Sequence, residues 1–317
     1  MRAMILAAGL GNRMQPLSGL RAKPALPVLG LPVIVTLLEL LKHHGFREVV
    51  VNVHAHGQSV RDAVEEYGPR DVQVRWSEEE TLLGTGGGIR RAVDFLRESE
   101  TSVVLAGDML LDLDLGAAIE RHRARDSRTT LLLRRDPRIA RFGSIGIDRE
   151  GHVRRVGRHS LREGETAEGL FLSVRLFSAR AFDDLPDRAT FEDLADWIIP
   201  GLERGARDIH ADLLDPGTSL WEPVGTPREY LAVNLEPPAL SYLPPDAILS
   251  RSGARVEGSR IIGRGAQLGT GCRLERCVIW DRERVPANQT GTGGVFACGN
   301  FHACLDTAES EPGGARP

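Results

Sequence analysis

Two rhythms of apolar residues alternate over the first 106 residues, and few folds satisfy both. Four short apolar runs, Met4–Ala8, Val49–Val53, Val72–Trp76 and Ser102–Ala106, have the length of strands. Between them stand stretches with helical spacing. Val33–His43 carries Ile34, Leu37, Leu38 and Leu41 on one face, with Gly45 as its stop, and Val60–Tyr67 and Gly87–Leu96 follow the same pattern. Strand, helix, strand, helix predicts an α/β fold: a Rossmann-like, mixed but mainly parallel sheet with helices on both faces.

The texture changes after Thr129. Thr130–Leu133, Gly143–Ile147, Val153–Val156 and Leu170–Leu176 read as strands without intervening helices, and Asp148–Gly151 (DREG) is a hairpin turn. This predicts an antiparallel insertion covering one side of a cleft. Phe191–Gly205 reads as a helix interrupted near Pro200.

A proline-rich linker is expected at residues 235–247, closing a first domain of residues 1–234. Beyond it, Val256, Ile262, Leu268, Leu274 and Trp280 recur every six residues, and Gly263 and Gly269 directly follow two of them. Six is the period of a hexapeptide coil, so residues 248–300 are expected to form a short left-handed β-helix. A stub of this size must lean on something, either the first domain or a second copy of the chain. The four cysteines all lie here. Cys272 and Cys277 fit as small apolar members of the hexads better than as zinc ligands, because the spacings are wide for paired thiolates. Residues 301–317 offer little to bury and are expected to be disordered.

The chain of 317 residues carries a formal net charge of −4, which gives no basic field to recruit nucleic acid. No apolar run reaches the length of a membrane span, and the first apolar run is too short for a signal peptide. A cytoplasmic protein is the expectation.

The loop after the first strand, AAGLGNRMQPLSGLRAKPALPV (Ala7–Val28), narrows the chemistry. Gly9 and Gly11 let the backbone approach a ligand and aim N–H groups at anionic oxygens. A dinucleotide fingerprint would put a third glycine where Met14 stands, and a Walker loop would put Gly-Lys-Ser/Thr at the helix start. Instead the loop holds Arg13 and Lys23, which suits a nucleoside triphosphate whose phosphates are rearranged. Arg13 would hold the departing β- and γ-phosphates and Lys23 would meet charge at the α-phosphate.

With Ala7–Leu17 and Lys23-Pro24, the chain resembles the sugar-1-phosphate nucleotidylyltransferases, whose opening signature is Ala-Ala-Gly-x-Gly-x-Arg-x-x-Pro-Leu followed by Lys-Pro. Leu82–Ala92 (LLGTGGGIRRA) is similar to the family's nucleoside-pocket segment, Val103–Leu115 to the strand ending in Gly-Asp, and Trp221–Asn234 to the closing Trp-x-Asp-x-Gly-Thr-Pro motif. The texture leans toward the mannose-1-phosphate guanylyltransferases and muramate-1-phosphate uridylyltransferases. The resemblance implies an NDP-sugar product formed from a nucleoside triphosphate and a sugar 1-phosphate with the help of Mg²⁺. It implies nucleotide contacts from Ala8, Gly9, Gly11, Thr85, Gly86 and Gly87, sugar-phosphate contacts from Glu168 and Gly169, and a metal ligand in Asp108.

The chain departs from the pattern in three ways. Pro223 stands where the closing motif has its aspartate, leaving the neighbouring carboxylate Glu222 as the expected second metal ligand beside Asp108. Arg158 and His159 replace the family's Glu-Lys pair, and Asn12 replaces a small hydroxyl residue before Arg13. Pro223 keeps a second reading open: a catalytically weak paralogue that binds a nucleotide sugar and regulates a partner. A hexapeptide acyltransferase is disfavoured, since such enzymes build their site between long coils.

Overall fold

The computed structural model describes residues 1–160 and 163–305. Its centre is the strand Arg2–Leu6, parallel to Thr101–Ala106 on one side and to Glu48–Val53 on the other, with Gln73–Glu78 parallel at the outer edge. A strand between two parallel neighbours must be apolar on both faces. Ala3 and Ile5 accordingly enter one core and Met4 the other, all at 0% exposure.

Helix Val33–His43 occupies the residues expected of it and is buried nearly all round. It ends because Gly45 adopts φ +81°, which lets Phe46 N–H reach the Leu41 carbonyl and Gly45 N–H that of Lys42. The expected helix Gly87–Leu96 is instead two, Gly84–Arg91 and Val93–Arg97, broken at Ala92. A helix the pattern did not reveal, Leu115–Ala124, is capped by Asp114, whose carboxylate accepts the Ala117 N–H at 2.9 Å.

The antiparallel part is built on the long strand Ala167–Ser178. It pairs with Thr101–Ala106, with Thr129–Arg134 and with Ile145–Ile147, which leads to the hairpin partner Val153–Val156. A register shift between Phe171 and Arg175 puts Ser173 at φ +56°, a left-handed conformation unusual for serine. Ile209–Leu214 returns parallel to Thr129–Arg134. The expected interrupted helix is a π-type turn, Leu194–Ile198, followed by Ile199–Glu203.

The proline-rich segment is packed rather than loose: Leu240 and Leu243 are buried, and Tyr242 donates to the Leu111 carbonyl at 2.8 Å. Its last residues open a helix, Pro245–Ser252, so the C-terminal strands begin at Arg255, later than expected. In this strand-rich region Arg260–Ile262, Arg273–Ile279 and Thr290–Ala297 pair in parallel, each partner 17 residues along the chain. Gln267–Leu268 pairs with Arg284–Val285 at the same offset. A methyl group built on Gly263 or Gly269 would lie 2.5 Å from the backbone nitrogen of Asp281 or Ala287, so these glycines let successive turns touch. Val256, the first residue of the sixfold series, is half exposed, because its strand Arg255–Glu257 pairs antiparallel outside the repeat. Val278, Trp280, Val295 and Ala297 join the main core, so the region leans on the α/β part of its own chain. The strand Asn300–Ala303 pairs with Thr290–Ala297, which corrects the expectation of disorder at its residues; Asp306–Pro317 of that expected tail lie outside the described residues. No helix among the described residues is long and apolar enough to cross a membrane.

Candidate active site

Loops leaving one edge of a parallel sheet diverge where successive connections run to opposite sides, and the gap between them is a natural cleft. Here the divergence is at the carboxyl end of Arg2–Leu6. A cleft of about 750 Å³ opens there, within the range of small-molecule sites. Leu6, Ala7, Asn52, Glu79, Ala106 and Asp108, all at or just past the ends of the parallel strands, line its base.

The glycine loop forms one wall through Ala8, Gly9, Leu10, Gly11 and Asn12. Its two glycines have different reasons. Gly11 sits at φ +68°, and a methyl group there would lie 2.8 Å from the Lys23 stem, so both backbone and packing demand glycine. A methyl group on Gly9 would meet nothing within 4 Å. The protein does not need glycine at that position, whereas a ligand pressed against the backbone would. Lys23 threads beneath Gly11, with its side chain 9% exposed, and its ammonium donates to Asp108 Oδ2 at 2.6 Å.

The base of the cleft is tied by Asn52. Its Oδ1 accepts the Ala7 N–H at 2.7 Å and its Nδ2 donates to Glu79 Oε1 at 2.7 Å; Glu79 Oε2 then accepts the Leu83 N–H at 3.0 Å. Glu79 is 5% exposed, and among the described residues its carboxyl group is held by hydrogen bonds rather than by an ion pair. Opposite the glycine loop, Ser173, Arg175, Thr190, Phe191, Glu192 and Asp196 form the other wall. Arg175 and Asp193 are a buried pair, at 2.5 Å and 3.1 Å, and the Thr85 hydroxyl lies 2.6 Å from Asp193 and 2.7 Å from Glu192. None of Asn52, Glu79, Arg175 or Asp193 was singled out from the sequence; the contacts Ala7–Asn52, Asn52–Glu79 and Arg175–Asp193 span 45, 27 and 18 residues, and no local spacing announces them.

Of the residues selected from the sequence, Ala8, Gly9, Gly11, Lys23, Thr85 and Asp108 line the cleft together. Gly86 and Gly87 stand just behind Thr85, and their N–H groups are both spent on the Phe191 carbonyl, at 3.0 and 3.1 Å. Their lack of side chains is explained by the protein itself, since a methyl group would strike the Phe191 ring at 2.2 Å or the Ala189 carbonyl at 2.3 Å. Arg13 is exposed, does not line the cleft, and stands beside Gly225: a methyl group on that glycine would be 3.8 Å from its guanidinium.

Three further expected contacts are not brought in. Glu168 is half exposed outside the cleft, accepting from Ser144 and Arg155, each at 2.7 Å; the Ser144 hydroxyl and then Arg155 hold its carboxyl below the ordinary range. Gly169 is a packing glycine, with Leu213 and Leu133 where its side chain would be. Glu222 pairs with Arg138 at 2.8 Å and lines a separate pocket with His43, His44 and Asp112. Pro223 is the one that faces Met109, next to Asp108, while Glu222 falls on the opposite face of the strand.

The profile of the family described as "Nucleotidyl transferase" matches residues 2–237. The chain is 31% identical to a mannose-1-phosphate guanylyltransferase of Mycobacterium tuberculosis, over 90% of this chain and 81% of the relative. It is 40% identical to an N-acetylmuramate alpha-1-phosphate uridylyltransferase of Neisseria meningitidis serogroup B, over 38% of this chain and 52% of that one. Its fold is similar to that of HddC from Yersinia pseudotuberculosis complexed with GMP-PN, with a TM-score of 0.61, 24% identity, and coverage of 74% of this chain and 98% of that one. The chain belongs to the nucleotidyl transferase family, as a member of its sugar-1-phosphate nucleotidylyltransferase class.

Proposed function

We propose that the cleft carries out in-line attack of a sugar 1-phosphate oxygen on the α-phosphate of a nucleoside triphosphate, releasing pyrophosphate and an NDP-sugar. The observation that carries this reading is the Lys23–Asp108 pair at the end of the cleft, held under a left-handed Gly11. The nucleophile is already an anion, so the protein's task is to align two polyanions and offset their repulsion. Lys23 supplies positive charge at the reacting phosphate, the N–H groups around Gly9 and Gly11 meet phosphate oxygens, and Arg13 at the rim meets the departing pyrophosphate.

Mg²⁺ would supply further charge neutralisation on the phosphates. Asp108 is its protein ligand in this reading. Pro223 offers no side-chain donor, and Glu222 is engaged with Arg138 outside the cleft. One carboxylate is compatible with Mg²⁺ provided phosphates and water complete the shell. We also read the C-terminal region as a short left-handed β-helix; its parallel pairings 17 residues apart, with small residues at the turns, support that.

The test is pyrophosphate release with Mg²⁺ across nucleoside triphosphates and sugar 1-phosphates. GTP with mannose 1-phosphate comes first, since the guanylyltransferase relative aligns over nine-tenths of the chain. Turnover lost about 100-fold or more in Lys23→Met and Asp108→Asn, with folding intact, is the expected result. Pro223 favours a second reading, the regulatory paralogue, and silence across the grid with measurable nucleotide-sugar binding would establish it instead.

A further inference from the structure

Between Asn12 and Ala25 the chain makes three short 3₁₀ turns, Asn12–Met14, Leu17–Gly19 and Lys23–Ala25, with no sheet or long helix to hold it. Met14 and Leu17 are buried, but Gly19 and Leu20 are exposed and Arg21 is half-buried. Freedom in such a stretch would be passed directly to Lys23, two residues on.

Two routes from the C-terminal strand-rich region close on this stretch. In the first, the Arg21 guanidinium lies over the Trp280 ring, 4.6 Å from its centroid, and reaches Asp281 at 3.5 Å. Trp280 is itself fixed: it is 2% exposed, its Nε1 donates to the Tyr230 hydroxyl at 3.0 Å, and that hydroxyl donates to the Pro27 carbonyl at 2.7 Å. In the second, the Ala22 N–H donates to Ser59 Oγ at 3.1 Å. Ser59 belongs to helix Gly57–Tyr67, whose last turn is gripped by Arg264 and Arg282 through Glu66, with Arg264 also over the Tyr67 ring. Both routes end on adjacent residues immediately before Lys23.

We infer that the C-terminal region positions the phosphate loop, with Arg21 as a positioning residue and Trp280 and Asp281 as its anchor. The apolar contact of the region is made by Val278, Val295 and Ala297 in the main core and does not need Arg21. What Arg21 adds is a directional hold on the loop. Its kinetic consequence rests on the reading of function above; its structural consequence does not.

Hydrogen exchange on the full chain without substrate, followed by steady-state kinetics, tests it. In Arg21→Met, amides of residues 12–25 should exchange about fivefold faster, the size of one cation–π contact. Amides of Glu48–Val53 should speed up by no more than that factor, and the thermal midpoint should fall by no more than about 2 °C. With the triphosphate varied, kcat/KM should fall about fivefold, and Arg21→Lys, which keeps a cation over the ring, should recover most of both effects. Unchanged exchange in residues 12–25 overturns the tether. Faster exchange with unchanged kcat/KM overturns its role in positioning. If the wild-type chain turns over no substrate pair, the functional reading fails and the exchange data alone decide the tether.

Discussion

Lowering the pH should destabilise this protein through one histidine. His122 lies on helix Leu115–Ala124 at 1% exposure. Its Nδ1 is 2.8 Å from the Thr130 hydroxyl, and its Nε2 is buried with no hydrogen-bond partner among the described residues. Burial pushes its pKa down from 6.5 to about 4; Asp212 opposes the shift, and Arg123 and His210 add to it. A base with a depressed folded pKa contributes full stability above its unfolded pKa and loses it as pH falls toward the folded one. At pH 5 roughly 30 of 31 unfolded side chains are protonated, against about 1 in 11 when folded, a penalty of about 2 kcal/mol relative to pH 7.5. Urea unfolding of wild type and His122→Asn at both pH values isolates this share. The variant keeps a polar group toward Thr130 but cannot take up a proton. Wild type should lose about 2 kcal/mol more than the variant between the two pH values. Equal losses, within about 0.5 kcal/mol, would refute the reasoning, since the linkage sets a difference several times that size.

Other changes probe the cleft and its supports. Gly11→Ala should cost about 1–2 kcal/mol for the left-handed backbone alone, and more for the clash with the Lys23 stem; chemical denaturation reads the first and kcat the second. Tyr230→Phe removes the donor to Pro27 and the acceptor for Trp280, both fully buried, and should lower unfolding free energy by about 2–3 kcal/mol in calorimetry. Pro223→Asp would restore the closing motif's carboxylate one residue before Val224, whose N–H donates to the Asp108 carbonyl at 2.9 Å. Mn²⁺ titration followed by electron paramagnetic resonance should show at least about tenfold tighter binding without nucleotide, and unchanged binding would remove Pro223 from the account of the metal.

The parallel sheet was legible because its inner strands are apolar on both faces and its strands are separated by helical patterns, neither of which depends on distant partners. That Asp108 and the two loop glycines would lie together in the cleft was legible for a similar reason, since each sits within five residues of a strand end, whereas Lys23, 17 residues past Leu6, was legible only through the family's Lys-Pro motif. Gly86 and Gly87 were ambiguous because a glycine beside a ligand and a glycine beside Phe191 look the same in one dimension. Glu222 was drawn toward the metal by its neighbour Pro223, whereas the alternation of the strand and the distant Arg138 turn it the other way. The sixfold series foresaw stacked strands but not their 17-residue register, one residue short of three hexads, because the turns between short strands are free to drop a position.

The hydrogen-bonded chain Ala7–Asn52–Glu79–Leu83 also bears on how such a cleft can diversify. Three separate crossovers of the sheet are stitched by one amide and one carboxylate. A change at either residue strands the other's buried partner, so variation at the base must come in pairs and will be rare. The wall from Ser173 to Asp196 meets this chain through backbone, where the Phe191 N–H donates to the Leu83 carbonyl at 3.0 Å, so its side chains are not among those that tie the base. New substrate preferences, whether drifted into or engineered, are therefore cheapest to write on that wall, while the base stays as an inherited constant.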